Sequence, residues 1–377
     1  MGSHGGFETV VSELAPRLAA EGLEVHCSSR LTHDVREARS FPGVTIDSFP
    51  LGFPESYSLG KAFELIYDSF FVIRCKFILK CDALFCFGIP SGPALLLTRF
   101  SRSHVAVNID GLEWRREKFS RVERAVIKLL AFTTFLGSDV LILDNESLRS
   151  YLPKAFLRKA TFITYGVTPI ECRDWNSSLV TNVLGQNAPE MEPDHYLLVV
   201  ARLEPENNIH AIIENYLKSS SAMPLVVVGG PSSEAYEHKL RRLSADPPSP
   251  KHVHFTGPIY DKPLLDMLRC HCRAYIHGHS VGGTNPSLLE SMSAGNLIIA
   301  HDNAFNRSVC GDCALYFSDA ESLRKQIDFV VTNPSSRLAL GRAARLRSES
   351  NHSWDDVVAE YRRVAQGGSS HPATRRS

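Results

Sequence analysis

Five continuous apolar stretches in the second half of the chain, separated by four helical patterns, constrain the fold more than any other feature. They are Tyr196–Ala201, Leu225–Val228, Val253–Thr256, Ala274–His277 and Leu297–Ala300. Helix-period segments fall between them, at Asn207–Lys218, Ser233–Ser244, Lys262–Arg269 and Pro286–Met292. A strand apolar along its whole length must be covered on both faces. Helical crossovers provide that cover, and they leave the strands parallel. The first half repeats the scheme with Leu23–Ser28, Val44–Phe49, Ala83–Phe87, His104–Asn108, Val140–Leu143 and Thr161–Ile163, and with a helix over Arg116–Phe135. At 377 residues the chain exceeds what one core organises. The pattern predicts an α/β protein of two Rossmann-like domains with parallel sheets.

The predicted domains cover residues 1–166 and 195–350. The polar segment 167–194 breaks the periodicity and reads as a linker, 351–366 as a C-terminal helix, and the Gly/Ser/Pro/Arg-rich 367–377 as a disordered tail. In doubly wound domains ligands sit at the carboxyl ends of the strands, and a cleft between the two domains is where one is expected here.

Composition narrows the partners. Lys+Arg and Asp+Glu both number 41, and this balance argues against nucleic acid. Nine cysteines with scattered spacing predict reduced thiols and a cytoplasmic protein. Cys270-His-Cys272 and Cys310-Gly-Asp-Cys313 lack the second pair of a zinc ribbon, so no metal is expected. The most apolar stretch, Phe70–Leu79, contains Arg74 and Lys76 and is too short to span a bilayer. The protein is expected in the cytoplasm, with a peripheral place on the inner face of the plasma membrane as the alternative. At the start, Thr9–Ala20 reads as an amphipathic helix that precedes the first strand. A βαβ unit would place a strand and a glycine turn ahead of it, and only His4-Gly5-Gly6 remains of such a turn.

Three stretches could carry chemistry. In Gly278–Gly295, GHSVGGTNPSLLESMSAG, a glycine turn follows a strand and Pro286 fits the first position of a helix capped by Asn285. The turn amides and the helix dipole suit an anion such as a diphosphate. Glu290, one turn in, could accept hydrogen bonds from ligand hydroxyls. The alternative is a plain tight turn with Glu290 in a capping box with Ser287. In Val199–Asn208, VVARLEPENN, Arg202 lies just past a strand end, where it could hold phosphate oxygens or pair with Glu204 or Glu206. In Val107–Lys118, VNIDGLEWRREK, Asp110 follows a strand and could orient an acceptor, act as a base, or serve an ordinary Asp-Gly turn. Arg115, Arg116, Lys118, Arg121, Arg124 and Lys128 make the next region basic. It is either a solvated helix face or a face attracted to anionic lipid.

Taken together, GGFETVVSELAPRLA (Gly5–Ala19), NIDGLEWRREK (Asn108–Lys118), ARLEPENNI (Ala201–Ile209), LVVVGGP (Leu225–Pro231), GHSVGGTNPSLLESMSAG and IAHDNAFNR (Ile299–Arg307) resemble glycosyltransferase family 4, the retaining GT-B enzymes, and within it the bacterial rhamnosyltransferase branch. The resemblance implies a nucleotide-sugar donor held by the C-terminal domain and an acceptor held by the N-terminal one. It assigns donor diphosphate to Arg202 and nucleotide ribose to Glu290, with Asp110 as the third catalytic candidate. Further donor contacts are implied for Asn207, Gly229, Gly230, His279, Gly282, Gly283, Thr284, Asn285 and Ser287. Acceptor contacts are implied for Gly5, Gly6, Glu8, Glu113 and Arg115. The sequence departs from the wider family in three places. Asn207 stands where a lysine is usual, Gly282 where the first acid of E-x7-E is usual, and Asp110 where a histidine is common. The implied activity is retaining transfer of a sugar, L-rhamnose from dTDP-rhamnose, to a lipid-linked or oligosaccharide acceptor in surface polysaccharide synthesis, with no cofactor beyond the donor. Transfer of glucose or N-acetylglucosamine is the nearest alternative, and an inactive sugar-nucleotide-binding partner protein is another.

Overall fold

The computed structural model describes residues 6–29, 41–48, 60–89, 92–97, 99, 102–109, 120–184, 191–245, 252–368. The chain divides into two compact units: Met1–Gly166 with Trp354–Ser377, and Val167–Ser353.

The first unit opens on α1 (Gly6–Ala20), then β1 (Val25–Ser29), β2 (Val44–Ser48), α2 (Gly60–Ile73), a π-helical turn Arg74–Ile78, and β3 (Ala83–Phe87). It continues through α3 (Gly92–Leu97), β4 (His104–Asn108), α4 (Arg121–Gly137), β5 (Val140–Leu143) and β6 (Ala160–Phe162). Strands β3-β4-β5-β6 form one parallel sheet, and β1 pairs with β2 in a separate parallel pair. The α4 helix begins later than its apolar pattern does, because Ser120 and Glu123 form a reciprocal capping box that fixes the first turn. The C-terminal helix Trp354–Ala365 belongs to this unit. Its Tyr361 is buried against Phe85 and Phe87 of β3, and Trp354 lies beneath the Arg17 guanidinium. The last helix is therefore not an appendage to the second series of strands that it follows in sequence.

The second unit holds a six-stranded parallel sheet in the order β12-β11-β10-β7-β8-β9. The strands are β7 (Leu197–Val200), β8 (Leu225–Val228), β9 (Val253–Gly257), β10 (Ala274–His277), β11 (Ile298–His301) and β12 (Ala314–Phe317). Helices α5 (Ser177–Leu184), α6 (Ile209–Lys218), α7 (Glu234–Ala245), α8 (Lys262–His271), α9 (Pro286–Ser293), α10 (Ala304–Cys310), α11 (Ala320–Thr332) and α12 (Ser335–Asn351) complete it. The β12 strand and α5, within the expected linker, were not read from the sequence. The core packs Ile209, Ile212, Ile213 and Tyr216 of α6 against Leu197, Val199, Leu225 and Val227 of the sheet. These α6 positions follow the i, i+3, i+4, i+7 spacing of one buried helix face.

The expectation of reduced thiols is corrected at one pair: Cys172 and Cys270, which lie 98 positions apart, form a disulfide within the second unit. Composition and spacing could not show it, because the α8 end and the Cys172 segment become neighbours only on folding.

Candidate functional site

The sheet order of the second unit locates the site. The chain moves outward from β7 to β8 and β9, then returns to place β10 on the other side of β7. Loops leaving β7 and β10 diverge at that switch point and open a crevice at the strands' carboxyl ends. Arg202 follows β7 and the Gly278–Asn285 turn follows β10, so two stretches 70-odd positions apart in sequence flank one crevice.

The turn is built by backbone proximity. Gly278 abuts Asn207, whose carbonyl oxygen would lie 2.2 Å from any Cβ placed there. Gly282 has φ +128°, a conformation that L side chains rarely adopt. Gly229, after β8, has φ +155° and would place a Cβ 1.9 Å from the Ala201 carbonyl oxygen. Among the described residues, the N–H groups of Gly282 and Gly283 have no acceptor in the protein. Asn285 caps α9 by accepting from the Ser287 N–H at 2.9 Å, and Pro286 occupies the first turn. Ser287 Oγ is committed to the framework: it donates to the Val200 carbonyl at 3.2 Å and lies 3.1 Å from the Tyr275 hydroxyl.

Asn207 stands buried beneath Arg202. Its Nδ2 donates to the Arg202 carbonyl at 2.8 Å, and its Oδ1 lies 2.7 Å from His279 Nδ1. That geometry makes Nδ1 the protonated ring nitrogen of His279. The side chain expected to replace a lysine therefore ties the β7 loop to the β10 loop. Asn303 and Asn306 both donate to the His279 carbonyl at 3.0 Å, which fixes the turn from the β11 side. Neither was singled out from sequence, although an Asn before a short helix is a capping signal, and Asn303 does cap α10. Next to this network His277 is fully buried. Desolvation, with His279 and His301 nearby, pushes its pKa well below the ordinary imidazole value, so it is neutral at physiological pH.

Arg202 is exposed, and its nearest carboxylate, the buried Glu204, lies 3.8 Å away and accepts a hydrogen bond from Ser232. The guanidinium thus keeps most of its donors for a ligand. Glu290 departs from the capping-box alternative. It is not in a capping box, because the N-cap is Asn285. Its Oε2 pairs with Arg269 of α8, a side chain only 2% exposed that also reaches Asp266 at 3.1 Å. The acid sits in an apolar helix because a buried arginine from the neighbouring helix needs a counter-charge. Its other oxygen, Oε1, carries no hydrogen bond among the described residues.

Gly229 and Gly230 follow β8, and buried Thr284 closes the turn. In the first unit, Gly6 begins α1 and Glu8 lies in its first turn. Gly5, Asp110, Glu113 and Arg115 lie outside the described residues. Among the described residues, no group of three or more His, Cys, Asp or Glu side chains could hold a metal ion, and no helix is long and apolar enough to cross a membrane.

A family model described as glycosyl transferases group 1 matches residues 185–347, which span the switch point and every residue of the turn. Residues 185–347 are a glycosyltransferase group 1 domain. A second model, described as a domain of unknown function (DUF1972), matches residues 1–168. No curated protein matches the chain. Among solved structures, the chain is similar to sucrose-phosphate synthase from Thermosynechococcus elongatus, at 16% identity and TM-score 0.76 over 96% of this chain and 93% of that one. It is also similar to Anabaena Alr3699/HepE in complex with UDP, at 13% identity and TM-score 0.71 over 97% and 98% of the two chains. A glycosyltransferase from Rickettsia africae matches at 14% identity and TM-score 0.72 over 96% and 95%. These likenesses show the fold, GT-B with two Rossmann-like domains, as the sequence predicts. In this domain Arg202 and the free amides of the β10 turn follow adjacent strands, and Glu290 lies on the helix that leaves the turn.

Proposed function

We propose that the protein is a retaining glycosyltransferase that takes a sugar from a nucleotide-sugar donor bound at the switch point. One observation carries this reading: an exposed arginine and two unpartnered backbone amides flank a helix N-terminus at the crevice where a doubly wound domain binds nucleotides. Arg202 and the Gly282 and Gly283 amides would meet the donor diphosphate, and Glu290 Oε1 would accept from ribose hydroxyls. The sugar C1–oxygen bond to the diphosphate breaks while the acceptor hydroxyl bonds to C1 from the same face. The acceptor proton passes to the departing diphosphate oxygen. Donors fixed before the reaction stabilise the charge that builds on that leaving group, and this is the main catalytic contribution the domain offers. His277, buried and neutral, adds no charge beneath the turn. Asn207, Asn285, Ser287 and His279 act by holding the turn in place, and Asp110 is assigned to the acceptor side by sequence alone.

The donor expected from the sequence is dTDP-L-rhamnose, and the acceptor a lipid-linked or oligosaccharide chain at the inner face of the plasma membrane. A UDP-sugar donor is the second reading, because Anabaena Alr3699/HepE, similar in fold, is solved with UDP-glucose. Calorimetric titration of the purified chain with dTDP-rhamnose, UDP-glucose and UDP-N-acetylglucosamine ranks these donors. Transfer to a polyprenyl-diphosphate sugar, with the product anomer read by NMR, then tests retention. A chain that binds none of the three and consumes none would end the transferase reading, and an inverted anomer would end the mechanism.

A further inference from the structure

The segment that follows α2 in the first unit carries two cysteines, in the stretch Cys75-Lys-Phe-Ile-Leu-Lys-Cys81. That spacing pairs them neither on one face of a helix nor across a tight hairpin, so the fold has to bring them together. The helix widens into the π-helical turn Arg74–Ile78, and the Leu79 N–H donates to the Arg74 carbonyl at 3.0 Å. Lys80 then takes φ +54°, a left-handed conformation that costs a lysine free energy. The chain turns back there, and the Cys81 N–H donates to the Cys75 carbonyl at 3.0 Å. A disulfide bridges Cα atoms roughly 4.4–6.8 Å apart, and two residues joined by a backbone hydrogen bond are neighbours on that scale.

The two thiols meet as well. Cys75 donates a hydrogen bond to Cys81, which favours the Cys81 thiolate and lowers its pKa against the effect of burial. The same bond, followed by desolvation, raises Cys75, so the pair gives up its first proton from Cys81. His26, whose own pKa is raised by its bond to Asp47, lowers that of Cys81 further. The Asp47 carboxylate nearby is already answered: Oδ2 lies 2.9 Å from His26 Nδ1, and Oδ1 accepts from Arg74 at 2.9 Å. Cys75 and Cys81 are both half-buried and keep contact with solvent. Other free thiols differ. Burial pushes Cys27 up to about 11 and Cys272 and Cys310 up to about 12, and it raises half-buried Cys313 too. A partly exposed thiolate beside a second thiol is the arrangement in which oxidation ends in a disulfide.

We propose that Cys75 and Cys81 form a peroxide-reactive dithiol, with Cys81 as nucleophile and Cys75 as resolving thiol, which closes reversibly into a disulfide between the turn after α2 and the residues leading into β3. The co-reactant is a small hydroperoxide. The Cys81 thiolate attacks the terminal peroxide oxygen, the O–O bond breaks, and the departing oxyanion takes up the proton that Cys81 released. Two electrons pass from sulfur to the peroxide, and Cys81 becomes a sulfenic acid. Cys75 Sγ then attacks Cys81 Sγ. The S–S bond forms, the S–O bond breaks, and hydroxide leaves with the Cys75 proton as water. A dithiol reductant reverses the change by thiol–disulfide exchange. This chemistry uses no residue of the donor site and stands apart from the transferase reading.

Differential alkylation with peptide mapping of the full chain tests it. A stoichiometric amount of hydrogen peroxide at neutral pH should yield a Cys75–Cys81 cross-linked peptide that dithiothreitol removes, while Cys313 stays reduced. Iodoacetamide should label Cys81 about fivefold faster than Cys313, because the larger thiolate fraction outweighs the lower nucleophilicity of a more acidic thiol. Cys75→Ser should stop at the sulfenic acid, trapped at Cys81 by dimedone, whereas the parent chain should trap little. Cys81→Ser should leave Cys75 reduced. Both changes are nearly isosteric, so each variant should melt like the parent, and the mapping of the parent chain depends on neither. Cys75 and Cys81 still reduced after peroxide, Cys313 oxidised as readily as Cys81, or no dimedone adduct in Cys75→Ser would overturn the proposal. So would a disulfide that joins Cys81 to Cys27 or Cys86 instead of Cys75.

Discussion

The two units place apolar side chains differently. In the second, the strand residues Leu197, Leu198, Leu225, Val226, Ile276 and Ile299 are wholly buried, and the large apolar side chains exposed among its described residues, such as Tyr260 and Leu346, lie apart in sequence. In the first, Ile66, Ile73, Phe77, Ile78, Leu97 and a stripe on α4 (Val122, Val126, Leu129 and Phe132) are exposed. The same αβ logic built both sheets, so the difference does not come from topology. It separates apolar residues that hold a sheet together from apolar residues that stay on the surface.

The sharpest break of this comparison is a pair of truncations. Ile276→Ala, in the centre of the second sheet, should cost about 4 kcal/mol of unfolding free energy, whereas Leu129→Ala should cost less than about 0.5 kcal/mol. Chemical denaturation of each variant reads both. A large cost for Leu129→Ala would mean that the stripe belongs to a core after all.

Within the second unit, charge divides in the same way between ligand and framework. Arg202→Ala should lower kcat/KM by about 10²–10³-fold, on the scale of losing one leaving-group donor, with no change in melting temperature. Glu290→Gln leaves buried Arg269 with Asp266 alone as its carboxylate partner and should destabilise the domain by about 2 kcal/mol, which denaturant titration would detect. Unchanged stability would mean that Glu290 serves a ligand alone, and unchanged turnover in Arg202→Ala would remove that residue from the site.

The smallest effect is a contrast in pH dependence. In the first unit, His26 lies 2.9 Å from Asp47, and that hydrogen bond raises its pKa against the opposing effect of burial. Its contribution is fully present below the unfolded value of 6.5 and is lost as pH rises through the folded value. His277 is depressed by desolvation, so the unfolded chain binds the proton more readily and stability is lost as pH falls below about 6.5. His26→Gln should therefore cost more stability at pH 6 than at pH 8. Hydrogen exchange in β10, corrected for intrinsic rate, should accelerate below pH 6.5. Equal costs at both pH values, or uniform protection of β10, would remove the contrast.

Much of the fold was legible because continuous apolar runs admit few partners other than a covered parallel sheet. The glycine turn, the Asn285–Pro286 helix start and the place of Arg202 past a strand end were readable for the same local reason: φ, capping and strand ends are properties of a few consecutive residues. The β12 strand escaped because ALYF is short and sits between helices with little to mark it. Helix α4 was read as starting too early because an amphipathic pattern carries no boundary of its own, and the Ser120 cap supplies one.

The sequence by itself determined the alternation of strands and helices, the turn that can face an anion, and the residues available to it. Only the tertiary structure decided that Glu290 answers a buried Arg269 from another helix, that Asn207 joins two loops through His279, and that Cys172 meets Cys270. It also decided that the last helix returns to the first unit. Local pattern fixes what a residue can do. Its counter-charge, its neighbours and its exposure come from parts of the chain tens to hundreds of positions away, and only packing brings those together.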